Sequence, residues 1–153
     1  MRGVLYAIIV VSCGVLYPAL AHASYIPLVF TQDISEINTN ALQSYMQEHK
    51  ALNISADAIE IAKIDLNGDH IEEIVLRDKL CAQKNAMCAY TVLAQQHIGQ
   101  FIALASLEAK EFVISTQKTA GIHDIVVYNA LRNDYTHNTY VWNPVAQTYK
   151  AKE

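Results

Sequence analysis

Ile64-Asp65-Leu66-Asn67-Gly68-Asp69-His70-Ile71-Glu72-Glu73-Ile74-Val75-Leu76 is the stretch on which the rest of the chain is organised. Two apolar, β-branched runs flank a short acidic loop. Within it, Asp65, Asn67, Asp69 and Glu73 set oxygen-bearing side chains at alternate places of a nine-residue turn. That is how a chain wraps a hard cation such as Ca²⁺, so the expected ligands are those four side chains with the Ile71 carbonyl between them. Glu72 faces away in this reading, or replaces Glu73 if the turn slips by one residue. The rival reading is an empty Asx-type turn in which Asp and Asn side chains cap backbone amides. Both readings make the loop a structural corner and give it no catalytic machinery.

An EF-hand is excluded. With Asp65, Asn67 and Asp69 at positions 1, 3 and 5, glycine belongs at position 6 and glutamate at position 12. Those places hold His70 and Leu76, and strands flank the loop where helices are required.

Working outward, Ala58 to Ile64 alternates at first and then loses strict phase, which reads as a strand entering the loop. Glu73 to Arg77 is the strand leaving it. Asp78 to Met87 is a polar excursion. Residues 89–95 and 101–105 read as a hairpin turned by His97-Ile98-Gly99-Gln100, followed by strands over 111–115 and 123–128. Thr139-Tyr140-Val141-Trp142, the turn Asn143-Pro144-Val145-Ala146 and Gln147-Thr148-Tyr149-Lys150 make a closing hairpin. Upstream, Leu42, Tyr45, Met46 and His49 recur at helical spacing from a cap at Asn38 or Thr39 to a stop at Asn53. His49 is expected to be a partly buried core residue. Tyr25 to Phe30 is an extended edge segment at most, because Pro27 lacks a backbone donor. The expected fold is therefore α+β: an antiparallel meander sheet, a single propeller-blade-like unit, with one N-terminal helix packed on it. Residues 38–153 form the domain and 24–37 an irregular lead-in. No period of 20–50 residues repeats, so a full propeller within this chain is excluded.

Residues 65–75 resemble the D-x-N-G-D-G-x-x-E/D-I-V loop of FG-GAP/VCBS-type and integrin-like propeller repeats. Over roughly residues 40–150 the chain is similar to small exported bacterial proteins built around one such loop. The resemblance implies a cysteine pair after the loop's second strand, matched by Cys81 and Cys88. It also implies a Gly-x-x-Asp-Leu/Ile strand, matched by Gly121 to Ile125, and a terminal aromatic hairpin, matched by Tyr140, Trp142 and Tyr149. One departure stands out. His70 occupies a glycine position that often needs a positive φ, which weakens the expected cation affinity.

The 153 residues suffice for one domain. Met1-Arg2, the apolar run Gly3 to Tyr17, the break at Pro18 and Ala21-His22-Ala23 predict a signal peptide over 1–23, cleaved after Ala23, and hence a periplasmic or secreted protein. Val10-Val11-Ser12-Cys13 offers a second processing reading, with a lipid anchor at Cys13. Removing residues 1–23 leaves 10 basic and 15 acidic groups, a balance of −5. That modest acidic excess gives no footprint for nucleic acid, and no later apolar run is long enough to span a bilayer. In an oxidising compartment the remaining pair, Cys81 and Cys88, reads as one disulfide.

Three functional classes remain. The first is a non-catalytic exported module that binds a protein or cell-envelope ligand, with Ca²⁺ as a structural ion. The second is a small periplasmic enzyme with a site near His123, Asp124 and His137. The third is an inhibitor of an envelope hydrolase. His70, His97, His123 and His137 sit on separate elements at no ligand spacing, and the 133–138 segment is read as an exposed polar loop. Tyr140, Trp142 and Tyr149 either offer an aromatic face or pack against the helix.

Overall fold

The computed structural model describes residues 24–33, 35, 39–50, 55–84, 86–97, 100–129 and 137–153. The expected signal peptide with Cys13 and Ala23, the expected helix limits Asn38 and Asn53, the Ile98-Gly99 turn and most of the 133–138 loop lie outside them. Strands β2 (Ile59–Ile64) and β3 (Glu73–Asp78) flank the acidic loop in antiparallel register, with Ile64 opposite Glu73. β4 (Cys88–His97) and β5 (Gln100–Ala109) continue the meander into a four-stranded sheet of order β2-β3-β4-β5.

Alternation along β2 and β3 gives this sheet two apolar faces. Ile59, Ile61, Ile74, Leu76 and Leu93 meet Ala41 and Tyr45 of helix α1 (Thr39–Glu48). The Tyr45 hydroxyl donates to the Ala89 carbonyl at 3.1 Å, and His49 Nε2 lies 3.2 Å from Thr91 Oγ1. The helix thus covers one face, and His49 is a half-buried core residue, as expected.

A single meander does not account for the other face, and here the expectation is corrected. Ala62, Ile64, Val75 and Val92 also need cover, and a second sheet supplies it. It is built from β1 (Tyr25–Ile26), β6 (Glu111–Thr119), β7 (Ile122–Tyr128), β8 (His137–Asn143) and β9 (Thr148–Ala151), in the order β1-β6-β7-β8-β9. Lys110 alone separates β5 from β6, and its amide donates to the Tyr128 carbonyl at 2.9 Å. The inter-sheet core includes Val75, Val92, Ile114 and Ile125, all inaccessible to solvent. Tyr149 joins it, with Trp142 edge-on at 5.6 Å and Tyr140 beside them. The aromatic hairpin therefore packs between the sheets and not against the helix.

The lead-in is built into the domain. β1 pairs with the edge of β6, Pro27 ends that pairing, and Thr31 then exchanges two 2.8 Å backbone hydrogen bonds with Ile61 of β2. The segment is a strap from the edge of one sheet to the edge of the other. A short helix, α2 (Lys79–Gln83), follows β3, and the Cys81–Cys88 disulfide joins it to the start of β4. Among the described residues, no helix is long and apolar enough to cross a membrane.

The disulfide closes a ring of small span, so the chain-entropy model gives it about 2–3 kcal/mol. A Cys81→Ala/Cys88→Ala variant should lower the free energy of urea unfolding by that amount. A variant as stable as the wild type would show that the bond constrains nothing.

Candidate functional site

The acidic loop is a self-capped turn. Asp65 Oδ1 accepts the Gly68 amide at 2.6 Å and Oδ2 the His70 amide at 3.0 Å. Asn67 Oδ1 accepts from Asp69 N, and Asn67 Nδ2 donates to Asp69 Oδ2. Asp69 Oδ1 accepts from Ile71 N at 2.7 Å. Four amides are thereby satisfied in the space of seven residues, which fixes the turn without help from elsewhere. Each of these oxygens has a second lone pair, so amide capping and cation coordination are chemically compatible.

Glu72 is exposed, whereas Glu73 is buried. Its Oε2 accepts the Leu66 amide at 2.8 Å. Leu66 is only 1% exposed and lies in the inter-sheet core, and its carbonyl accepts the His123 amide at 2.9 Å. The loop that joins two strands of one sheet therefore docks on the other sheet. Lys118 Nζ stands beside Gly68 on the same β6–β7 hairpin.

His70 adopts φ 67°, and Gly68 φ 88°. The histidine occupies the left-handed region that the sequence reading assigned to that place, at a cost of about 1–2 kcal/mol. Its side chain is almost fully exposed and contributes no packing. His70→Gly should therefore raise unfolding stability by about 1 kcal/mol, after the extra unfolded-state entropy of glycine is deducted. A thermal midpoint that fell instead would disprove strain at this position.

Electrostatics divide the loop in two. The Gly68 amide, more than any other group, holds the Asp65 carboxyl below the ordinary range. Burial pushes Glu73 above its ordinary value of 4.5, against the Leu66 hydrogen bond and with the help of the Asp69 and Asp65 charges. A carboxyl raised in the folded state binds its proton more tightly there than in the unfolded chain. Its unfavourable contribution is absent below about pH 4.5, grows as pH rises past that unfolded value and is complete above the folded one. In chelator, wild-type stability should thus decline over that window, and Glu73→Gln should flatten the decline. Equal slopes in the two proteins would contradict a raised Glu73.

The rival constellation is not brought together. The His123 Nδ1–H donates to the Ser115 carbonyl at 2.8 Å, and its own carbonyl accepts the Tyr149 hydroxyl at 2.7 Å. Asp124 is 2% exposed and, as the next residue of β7, leaves the strand on the opposite face. Its Oδ1 finds no hydrogen-bond partner among the described residues. His137 pairs with Tyr128, at roughly 16 Å from His123 for five strand residues. His123 is a structural node between the sheets. Among the described residues, no three His, Cys, Asp or Glu side chains are arranged as a metal set.

The sequence reading missed a groove on the strap side. A cavity of about 630 Å³ lies beneath the strap, walled by Tyr25, Leu28, Phe30, Arg77, Tyr90 and Phe112. Arg77 organises it: Nε and Nη2 donate to Glu60 Oε2 at 3.0 and 2.9 Å, and the guanidinium lies 3.7 Å over the Phe30 ring. The Tyr90 and Phe112 rings stack at 4.8 Å. A second hollow of about 380 Å³, lined by Pro27, Val29, Thr31 and Ile61 among others, lies on the far side of the strap. Val29, in the lining of that second hollow, is 74% exposed. An arginine directly after the apolar run Ile74-Val75-Leu76, with a glutamate in the preceding strand, was the signal available. Comparison with protein families, with curated proteins and with solved structures returns no match, so the reading of function rests on the geometry.

Proposed function

We infer that the protein is an exported, non-catalytic module that binds a protein or cell-envelope ligand in the periplasm or outside the cell. The observation that carries this reading is the aromatic groove beside the strap. It is concave, mixed in polarity and flanked by an exposed Val29, which suits recognition. In the same reading β2–β5 is the single blade-like unit and the acidic loop its corner. Ca²⁺ is a structural ion there, and Asp65, Asn67, Asp69 and Glu73 with the Ile71 carbonyl would have to draw together around it from their amide-capping arrangement.

Two experiments test these statements. Affinity capture from an envelope extract should retain a partner specifically, and recovery of none would count against the binding reading. For the ion, thermal unfolding in Ca²⁺ and in chelator is compared. At a hundredfold excess of Ca²⁺ over Kd the stabilisation is about 2.7 kcal/mol, and Asp69→Ala should abolish it. An unchanged midpoint in wild type and variant alike would remove the cation.

A further inference from the structure

β6 is nine residues long, yet β1 covers only part of its edge. The Thr116 amide donates to the Ser24 carbonyl at 2.9 Å, and Ile26 stands opposite Ile114. Hydrogen-bonded pairs alternate along an antiparallel ladder, so the next pair after Ser24–Thr116 and Ile26–Ile114 is Leu28–Phe112. It is not made, because the chain leaves the edge at Pro27 to reach Ile61. The ladder on the other side gives the same phase. Lys152 donates to the Thr139 carbonyl, which turns Tyr140 toward β7 and, through Ile125 and Val126, turns Val113 toward β7. The Phe112 N–H and C=O therefore point away from β7, into the groove, and have no backbone partner among the described residues.

We propose that this groove binds an extended, proline-free peptide segment that adds to the β6 edge at Phe112 and carries an acidic side chain for Lys110. This rests on the binding-module reading and names its ligand class. An unpaired edge N–H and C=O recognise a strand through its main chain, and pockets beside the edge select alternate side chains. The cavity supplies the pockets, along a wall of Phe30, Tyr90 and Phe112 whose rings follow one another at 6.4 and 4.8 Å. The charge preference follows from the cations. Arg77 is already neutralised by Glu60, whereas Lys110, exposed on the lining of the groove, forms no ion pair among the described residues. Glu111 also lines the groove, from the outer face of β6 that carries Val113, and leaves the strand on the other face from Phe112.

The probe is a fluorescein-labelled heptapeptide of alternating valine and threonine with a central glutamate, titrated by anisotropy against the whole protein. Saturable binding is expected, and N-methylation of the edge-facing amides should abolish it. Lys110→Glu should weaken it about tenfold, and a lysine-centred heptapeptide should bind that variant better than it binds the wild type. The proposal is overturned by N-methylated peptide binding as well as the parent, by indifference of both peptides to Lys110→Glu, or by no binding of either peptide. The envelope capture separates the two levels. A partner retained equally by wild type and Lys110→Glu, with no heptapeptide binding, sinks the groove alone. No partner and no heptapeptide binding sinks both.

Discussion

Leu66→Ala should destabilise the domain by about 2–5 kcal/mol, although the residue lies between Asp65 and Asn67 in an otherwise exposed loop. The leucine is 1% exposed within the inter-sheet core, so truncation leaves a cavity that neither sheet can close without moving. Its backbone bridges the sheets as well, with the amide on Glu73 and the carbonyl on His123. Loss of the side chain removes what seats that bridge. Asn67→Ala is the contrast: the residue is exposed, and it forfeits capping bonds worth about 1 kcal/mol or less. Urea unfolding at constant m-value reads both. A Leu66→Ala cost below about 1 kcal/mol would mean that the loop is not docked on the second sheet.

The acidic residues of this loop were legible because Asx capping is local, and alternate Asp and Asn in a short turn leave few other arrangements. The positive φ at residue 70 was legible for the same reason. Leu66 was not. One apolar residue between Asp65 and Asn67 has no periodicity to place it, and its burial depends on β7, more than fifty residues downstream. The separation of His123 from Asp124 was implicit in their adjacency, since neighbours on a strand face opposite ways. The distance to His137 needed the register of β7 with β8.

The division into two sheets had a trace in the sequence. The loss of alternation in Ile61-Ala62-Lys63-Ile64 is what a strand covered on both faces shows. A helix covers one face, and the other demands a partner that only the later strands can provide. The groove is legible least of all. It depends on where Pro27 releases the chain from β6 and on the Thr31–Ile61 bridge, both of them long-range pairings.

Arg77→Met should cost about 2–4 kcal/mol, the range for breaking a buried ion pair reduced for the exposure that the pair retains. Arg77 and Glu60 stand directly opposite each other on β3 and β2, with side chains 23% and 14% exposed. Removal of the guanidinium leaves the Glu60 carboxylate half-desolvated with no counter-charge and takes the cation from the Phe30 ring. Most of that cost is the stranded charge and not lost attraction. Adding Glu60→Leu should therefore bring the protein back to within about 1.5 kcal/mol of wild type, as an apolar cross-strand pair. A double variant no more stable than Arg77→Met would show instead that the arginine acts by packing against the strap. The heptapeptide then separates stability from recognition. The double variant restores the fold but not the guanidinium that holds Phe30 as a wall, so binding should stay weak in a protein that is folded again.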